Sequence, residues 1–538
     1  MRKIFCFILA IIPLVTLAQK NNLSDISIEI SEPYKVVDGS KKIYFHKNDN
    51  LLSVKILGET VAIQKYNTTT LKLDYTKKED LPNGAVVESI LELGNKYYLF
   101  YSLWDKSNKN EQLFYREINF TEGKLKQAIR IITVNHHLWR ISLGEIIGFW
   151  GHDVTSKFHF KLSDDKSKLL ILYRHLRENR IDARNFDVVG INVFNQNIEL
   201  LWKQEVKMPY SEKKMDFLDN AIDSNGNTYL IISLFKDNTT KVLNKYGDLN
   251  QRALIMKYEN MNGQLIDTIP ISLKNHFINK FGFYKVSDDK ILLRGFYGDD
   301  KYTAQSTGIF FLEINQKNKL SSESLYEFPD RFFDNNNTIR DYEVDISNDY
   351  ERRPELSDFK IIEQFKDEDN NTLILSEQQY ISIITTYSKT GKHEHYHYHY
   401  NDIIISKIDS TGNLHWMKKL PKEQIGYKGI GAMSFKHLQT KSFYYIIFFD
   451  DFDNKDILNE EKLVTYKDTK NSILCAYKVS KEDGSTEKIT ILDTYDIDGL
   501  TLNQFYINRL IPIDNNSFTL EAYKKKKEDV LIKVHFIK

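Results

Sequence analysis

Four histidines at alternate positions, His393, His395, His397 and His399, are the densest set of chemically capable side chains in this 538-residue sequence. In an extended strand successive side chains point to opposite faces, so the four imidazoles share one face and Glu394, Tyr396, Tyr398 and Tyr400 take the other. Imidazole suits zinc, copper or nickel. A single straight strand cannot wrap a tetrahedron, so a further ligand must come from elsewhere, and His415 and Glu377 are the contributors the sequence offers. A divalent metal is therefore the one cofactor with any support. The same pattern also reads as a polar, solvated hairpin, or as a tract that titrates near neutrality.

The other candidates are carboxylates. Asp450, Asp451, Asp453 and Asp456 follow an apolar strand, and clustered loop carboxylates can bind calcium, but the ligand order and turn glycine of an EF-hand are missing. Asp216, Asp219 and Asp223 flank an expected strand and could act as acid and base if another element opposes them. Lys524 to Lys527 reads as a soluble strand end or hairpin. No glycine-rich loop joins a strand to a helix, and no serine-centred elbow appears, so nucleotide binding and that class of hydrolase have no support.

Composition narrows the class. Lysine plus arginine and aspartate plus glutamate both total 74, which gives no net field to attract nucleic acid. Arg2 and Lys3, the apolar run Ile4 to Leu17 and the small-x-small triplet Thr16-Leu17-Ala18 form an export signal, with cleavage expected before Gln19. No later segment is apolar for long enough to cross a membrane as a helix. Export places the mature chain in the periplasm, at the cell surface or outside the cell. Cys6 leaves with the signal, so Cys475 remains alone in an apolar strand and no disulfide can form.

The elements that must position these residues repeat. Asp402-Ile-Ile-Ile-Ser-Lys-Ile408-Asp409-Ser-Thr-Gly412 lines up with Ala253 to Gly263, Leu113 to Gly123 and Ile473 to Gly484. Weaker copies centre on Ile56, Val193, Ile314 and Val534. A second strand precedes each anchor, as in Gly94 to Trp104, Asn225 to Phe235, Ser287 to Phe296, Lys441 to Phe449 and Asn515 to Tyr523. These runs are continuously apolar, which means both faces are covered. About four strands per unit, repeating over tens of residues, describe an all-β propeller. Eight blades fit best, with seven the nearest alternative. The last unit, Phe505 to Lys538, has three strands, so Ile26 to Val37 is expected to supply the fourth and close the ring. Residues 19–538 thus form one domain. Two stretches exceed a blade, Pro329 to Pro354 and Thr385 to Asn401, and Tyr210 to Ala221 and Asp456 to Val464 have room for a short helical turn.

The unit Asp402 to Trp416 resembles bacterial β-propeller repeats that read as alternating apolar residues, Lys-x-Asp, then Gly-Asn-Leu and an aromatic. Met208 to Asp219, followed by Asp223 to Leu230, resembles a family of exported Gram-negative envelope proteins. That resemblance implies the propeller and export, and brings no activity with it. Trp104-Asp105 lacks the other features of Trp-Asp repeats, and Lys407 to Gly412 departs from the sialidase Asp-box. Quinone-dependent eight-bladed dehydrogenases typically have neighbouring cysteines, which this chain lacks.

The leading expectation is a non-enzymatic scaffold that binds a protein or glycan partner in the envelope. The alternative is a glycan-active hydrolase or lyase at the central channel. Two opposed carboxylates there favour the enzyme, and a channel of small or apolar residues favours the scaffold.

Overall fold

A computed structural model describes residues 25–140, 156–177, 184–237, 250–259, 264–298 except 275 and 288, 305–332, 356–388, 391–426, 431–455, 457, 463–467, 472–494, 497 and 502–537 except 525. The export signal, most of the stretch 329–354 and most of 456–464 lie outside these residues.

Among the described residues the strands form eight antiparallel sheets of four or more strands, taken here as blades 1 to 8 with strands counted outward from the inner one, and one two-stranded pair, Gln305–Ser306 with Leu356–Ser357. Blade 1 is Lys41–Lys47, Asn50–Leu57, Thr60–Asn67 and Leu73–Asp80. Blade 2 is Val86–Leu93, Lys96–Asp105 and Asn110–Asn119, with Lys124–Leu125 and Ile129–Val134 sharing its outer edge. Blade 3 is Phe158–Leu162, Lys168–Arg174, Phe186–Asn195 and Leu200–Ser211. Blade 4 is Met215–Ile222, Thr228–Phe235, Gln251–Tyr258 and Leu265–Ile271. Blade 5 is Phe277–Val286, Lys290–Gly298, Gly308–Asn315 and Leu320–Glu327. Blade 6 is Phe359–Lys366, Thr372–Ser388, Gly391–Ile408 and Leu414–Leu420. Blade 7 is Phe435–Gln439, Phe443–Asp451, Ser472–Ser480 and Thr486–Asp493.

Blade 8 closes the ring. Its chain-terminal strands Leu510–Asp514, Ser517–Lys524 and Glu528–Phe536 take Ile26–Ile30 as the fourth, with Ile26 opposite Phe536 and Ile28 opposite Val534. The packing confirms a closed circle. Eight hydrophobic clusters fill the eight seams between neighbouring blades. The seam from blade 8 to blade 1 is among them, with Leu51, Tyr66, Leu71, Ile511 and Leu531. Each blade therefore buries both faces, which is why Thr228–Phe235 is buried at every residue and carries no alternation.

The repeat has a physical origin in its turns. In Asn195–Glu199, Asp223–Asn227, Asn315–Lys319, Asp367–Asn371 and Asp409–Asn413 the first side chain accepts the fifth residue's backbone N–H at 2.8–3.2 Å. The first carbonyl accepts the fourth N–H, and the fourth residue has positive φ. Gly412 and Gly226 take that conformation without cost. Ile198 also takes it, with its side chain buried in the seam between blades 2 and 3.

Three expectations need correction. The copy centred on Ile56 lies on the second strand of blade 1, whereas the anchors at Ile118, Val193, Tyr258, Ile314, Ile408, Val479 and Val534 lie on third strands; Gly58 there ends a second strand and mimics the signal. Tyr210 to Ala221 forms strand on both sides of a short connection rather than a helical turn. The second stretch expected at Thr385 to Asn401 starts earlier. Its pairing is continuous from Gln379 opposite Tyr400 to Ser388 opposite Gly391.

Candidate functional site: the wide-loop face and its arm

Antiparallel blades send alternate connections to opposite faces of the ring. The turns at one face are tight, such as Asn48–Asp49, Gly94–Asn95 and Asn515–Asn516. The long connections, including 135–157, 175–185, 236–250, 328–358 and 452–471, all leave from the other. The blade cores fix the strand ends beneath that wide-loop face, as a rigid scaffold does for surface loops.

The most prominent feature of this face is an arm. The second and third strands of blade 6, Thr372–Ser388 and Gly391–Ile408, run far beyond their counterparts in other blades. A register shift between Glu377 and Gln379 marks where they leave the blade. The root is fixed. Tyr400 and Tyr398 are buried among Met433, Tyr445 and Phe449, and the short strand Gln424–Gly426 pairs with Tyr398–Tyr400. Beyond Tyr398 the described residues show the arm as two paired strands. Ile383 lies opposite Tyr396 on one face, 55% and 45% exposed, and Ile384, 48% exposed, lies on the other face with the histidines.

The four histidines lie on this arm and share a face, as the alternation requires. His393 and His395 are exposed, and His397 and His399 are half-buried. His399 stacks on Tyr380 at 4.2 Å between ring centroids and bonds the Ser382 hydroxyl at 2.8 Å. His395 lies 3.4 Å from the Thr386 hydroxyl. The expected extra ligands are elsewhere. Glu377 is fully buried, bonded to Lys422 at 2.8 Å and to Ser434 and Gln379. His415 sits by the Asp409 turn, 3.9 Å from that carboxylate. Among the described residues no three histidine, cysteine or acidic side chains of one chain converge on a point.

The carboxylate candidates are committed to structure. Asp450 is buried and accepts from Lys488 at 2.8 Å and Asn454 at 2.7 Å, while Asp451 caps a 3-10 turn, so neither faces a calcium ion. Asp453 supplies that cap's N–H, and Asp456 lies outside the described residues. Asp223 does not face the channel, because as a turn residue it accepts from Asn227 and Tyr229. Asp219 accepts the Phe283 N–H of blade 5 at 2.8 Å, and Asp216 is exposed at the start of the inner strand. Lys524 to Lys527 spans the hairpin between the last two strands, where Lys526 and Lys527 have positive φ. Cys475 is fully buried, and desolvation drives its thiol pKa upward.

Inner strands begin at the wide-loop face, so their first residues line its centre. Lys42, Lys280 and Lys360 lie there on blades 1, 5 and 6. Burial, then the neighbouring positive charge of Arg509, pulls Lys42 down to about 8. Burial and Lys280 do the same to Lys360. Among the described residues these three lysines share the strand ends at this face with Asp216 of blade 4. Glu88, freed from pairing by a bulge, accepts from Ser102 and from the Lys157 backbone of blade 3, and Glu363 pairs with His437 at 2.8 Å.

Sequence reasoning missed the charges sealed under this face. Lys55 donates to Glu521 at 2.6 Å with neither side chain exposed, and the hydroxyls of Tyr34, Tyr44 and Tyr66 donate to the same carboxylate. Asp529 lies 4.0 Å from Lys55, and neither of its oxygens accepts a hydrogen bond. Burial, then the Glu521 charge, raises Asp529 to about 6. Burial opposes ionisation of Glu521 too, but Lys55 and Arg509 outweigh it and hold the group at about 2. On blade 3 Arg174 binds Asp187 at 2.5 Å and Glu212 at 2.9 Å, and burial raises Asp187 to about 7 against the Arg174 charge. A signal existed: Lys55, Arg174, Glu377, Asp450 and Glu521 each interrupt an apolar second strand towards the same face.

No family model matches the chain, and no curated protein matches it. Solved propeller structures resemble it at low identity. The propeller domain of the Trilobed protease from Pyrococcus furiosus is 11% identical, with 87% of this chain and 99% of that one covered and a TM-score of 0.33. The WD40 domain of SCAP from fission yeast is 9% identical over 95% of each chain, with a TM-score of 0.37. An oligogalacturonate lyase in complex with manganese is 8% identical over 93% of this chain and 98% of that one, with a TM-score of 0.33. Enzymes and non-enzymatic domains stand side by side at these values, which carry no argument about activity.

Proposed function

We propose that this chain is an exported, non-enzymatic scaffold of the cell envelope that binds a protein or glycan partner through its wide-loop face, with the blade 6 arm as the recognition element. The observation that carries the reading is the arm itself. Evolved sheets avoid exposed strand edges bearing apolar side chains, since they invite pairing with other chains. Here such edges are built on a root packed into the blade cores, with Ile383, Ile384 and Tyr396 outward. The lysines at the centre of the face favour a partner with acidic groups. Among the described residues no helix is long and apolar enough to cross a membrane.

The test is deletion of the arm, joining Gln379 to Tyr400 through a two-residue turn at the blade rim. Folding is checked by circular dichroism, and binding to isolated envelope fractions is measured by sedimentation. The proposal expects a folded protein that no longer sediments. Undiminished sedimentation of the deletion variant would overturn it.

A further inference from the structure

Two cations at the seam between blades 8 and 1 lack the anion that their setting calls for. Arg509 ends the 3-10 turn Ile507–Arg509, just before the inner strand of blade 8, and that turn packs against the inner strand of blade 1, which carries Lys42. Both residues stand at strand starts, at the centre of the wide-loop face. Arg509 is 6% exposed, and its guanidinium lies over the Tyr506 ring at 4.0 Å. Its buried Nη1 donates no hydrogen bond, and the Glu521 carboxylate is 4.0 Å away. Lys42 is half-buried. The carboxylates whose field reaches it, those of Glu521 and Asp529, lie against Lys55 at 2.6 and 4.0 Å.

We propose that Lys42 and Arg509 form an anion site at the centre of the wide-loop face, and that this site takes a side-chain carboxylate of a polypeptide partner. The inference rests on the reading of that face as the binding face and names the group that its centre receives.

The charges do not balance without such a group. Lys42, Lys55 and Arg509 meet Glu521 and Asp529, three cations to two carboxylates. Burial, then the Arg509 charge, holds Lys42 at about 8, so at neutral pH it keeps its proton beside a second cation. Like charges that are partly withdrawn from water repel until an anion joins them. Lys280 and Lys360, at the inner-strand starts of blades 5 and 6, extend the positive field, with Asp216 and Asp358 against them.

A guanidinium offers a planar fork to a carboxylate, and an ammonium adds a further donor. Reach decides where that carboxylate comes from. Arg509 is nearly covered and Lys42 is half-covered, so the entering group must stand off from its own chain. Aspartate and glutamate carry the carboxylate on one or two methylenes, whereas a sugar acid holds it directly on the ring. The arm on the same face adds outward Ile383, Ile384 and Tyr396, apolar groups that suit a polypeptide surface rather than a sugar.

The experiment follows acylation of Lys42 in the mature chain at about pH 8 and constant ionic strength, read by peptide mass spectrometry. The probe is N-acetylglutamate α-amide, which keeps only the side-chain carboxylate; its glutamine analogue and methyl galacturonoside are the comparisons. A carboxylate within about 4–6 Å raises a lysine's pKa by about 1–3, so the bound probe should slow Lys42 acylation at least about fivefold. Exposed Lys96 should react unchanged. The probe should also raise the melting temperature of the original but not of Lys42→Met, which keeps the apolar stem and leaves the Lys55–Glu521 pair in place. Equal rates with and without the probe, protection by the glutamine analogue, or an equal rise in Lys42→Met would overturn the proposal. Protection by the galacturonoside at lower concentration than the probe would assign the site to a sugar acid and overturn the polypeptide occupant. Failure here, with arm deletion still abolishing sedimentation, leaves the reading of the face standing. Protection here, with the deletion variant sedimenting undiminished, removes that reading and keeps the anion site.

Discussion

Lys55→Met tests whether the sealed charges hold the ring shut. The substitution keeps the apolar stem and removes the ammonium 2.6 Å from Glu521 and 4.0 Å from Asp529. With Lys55 present, Glu521 titrates at about 2 despite full burial. Without it the carboxyl keeps only Arg509 at 4.0 Å and the tyrosine hydroxyls, and must either stay charged with less compensation or take up a proton. Relaxation and water entry reduce such losses, and breaking one side of a buried pair usually costs about 3–5 kcal/mol. The seam joins the first blade to the last, so the loss should appear as opening of the whole ring. The assay is urea unfolding followed by tryptophan fluorescence, with Lys55→Met/Glu521→Gln as the partner variant. The amide oxygen introduced by Glu521→Gln still accepts from the tyrosine hydroxyls, so the double variant should regain at least about 2 kcal/mol over Lys55→Met. A Lys55→Met midpoint within about 0.5 kcal/mol of the original would refute the reasoning, as would a double variant no better than the single one.

Asp529 gives a pH signature of opposite sign. Its folded pKa of about 6 lies above the unfolded value near 3.9, so the folded state holds the proton more tightly. Stability from this group is full below about pH 3.9 and is lost as pH rises through 6, by up to about 3 kcal/mol. Asp529→Asn should therefore melt higher than the original at pH 7.5 and close to it at pH 4, and a lower melting temperature at pH 7.5 would sink the argument. Gly412 has φ of +94° with open space around it, so Gly412→Ala should cost about 1 kcal/mol through the backbone alone. An unchanged denaturation midpoint would show that the turn relaxes freely. The export signal predicts a mature chain starting at Gln19; Edman sequencing that returns Met1 from the envelope fraction would contradict it.

The architecture was legible because its cause is local. A turn such as Asp409–Asn413 needs an acceptor side chain at its first position and a residue that tolerates positive φ at its fourth, and these leave a mark in any sequence. Apolar second strands buried on both faces leave another. Blade 1 misled because Gly58 follows its second strand and imitates the glycine that follows the third strand in other copies. The histidine alternation correctly gave a strand with one imidazole face. What it could not give was the strand's setting, an arm rooted by Tyr398 and Tyr400 with an edge half covered by Gln424–Gly426. The sealed charges were harder still. Lys55 and Glu521 are separated by most of the chain, and only ring closure brings them together. Asp223 looked like a channel acid because spacing along a strand does not tell a turn carboxylate from a lining one.

The central claim is that the arm is where this molecule meets another. A photoreactive phenylalanine analogue placed at Tyr396 tests it directly, with the same probe at Leu320, after the tight turn Asn315–Lys319 on the opposite face and 51% exposed, as the control. Both variants are irradiated in intact cells, and adducts are sized and identified by mass spectrometry. The account predicts a discrete adduct from position 396 and none from position 320. Equal adducts from both positions, or none from 396 in cells that export the protein, would contradict it.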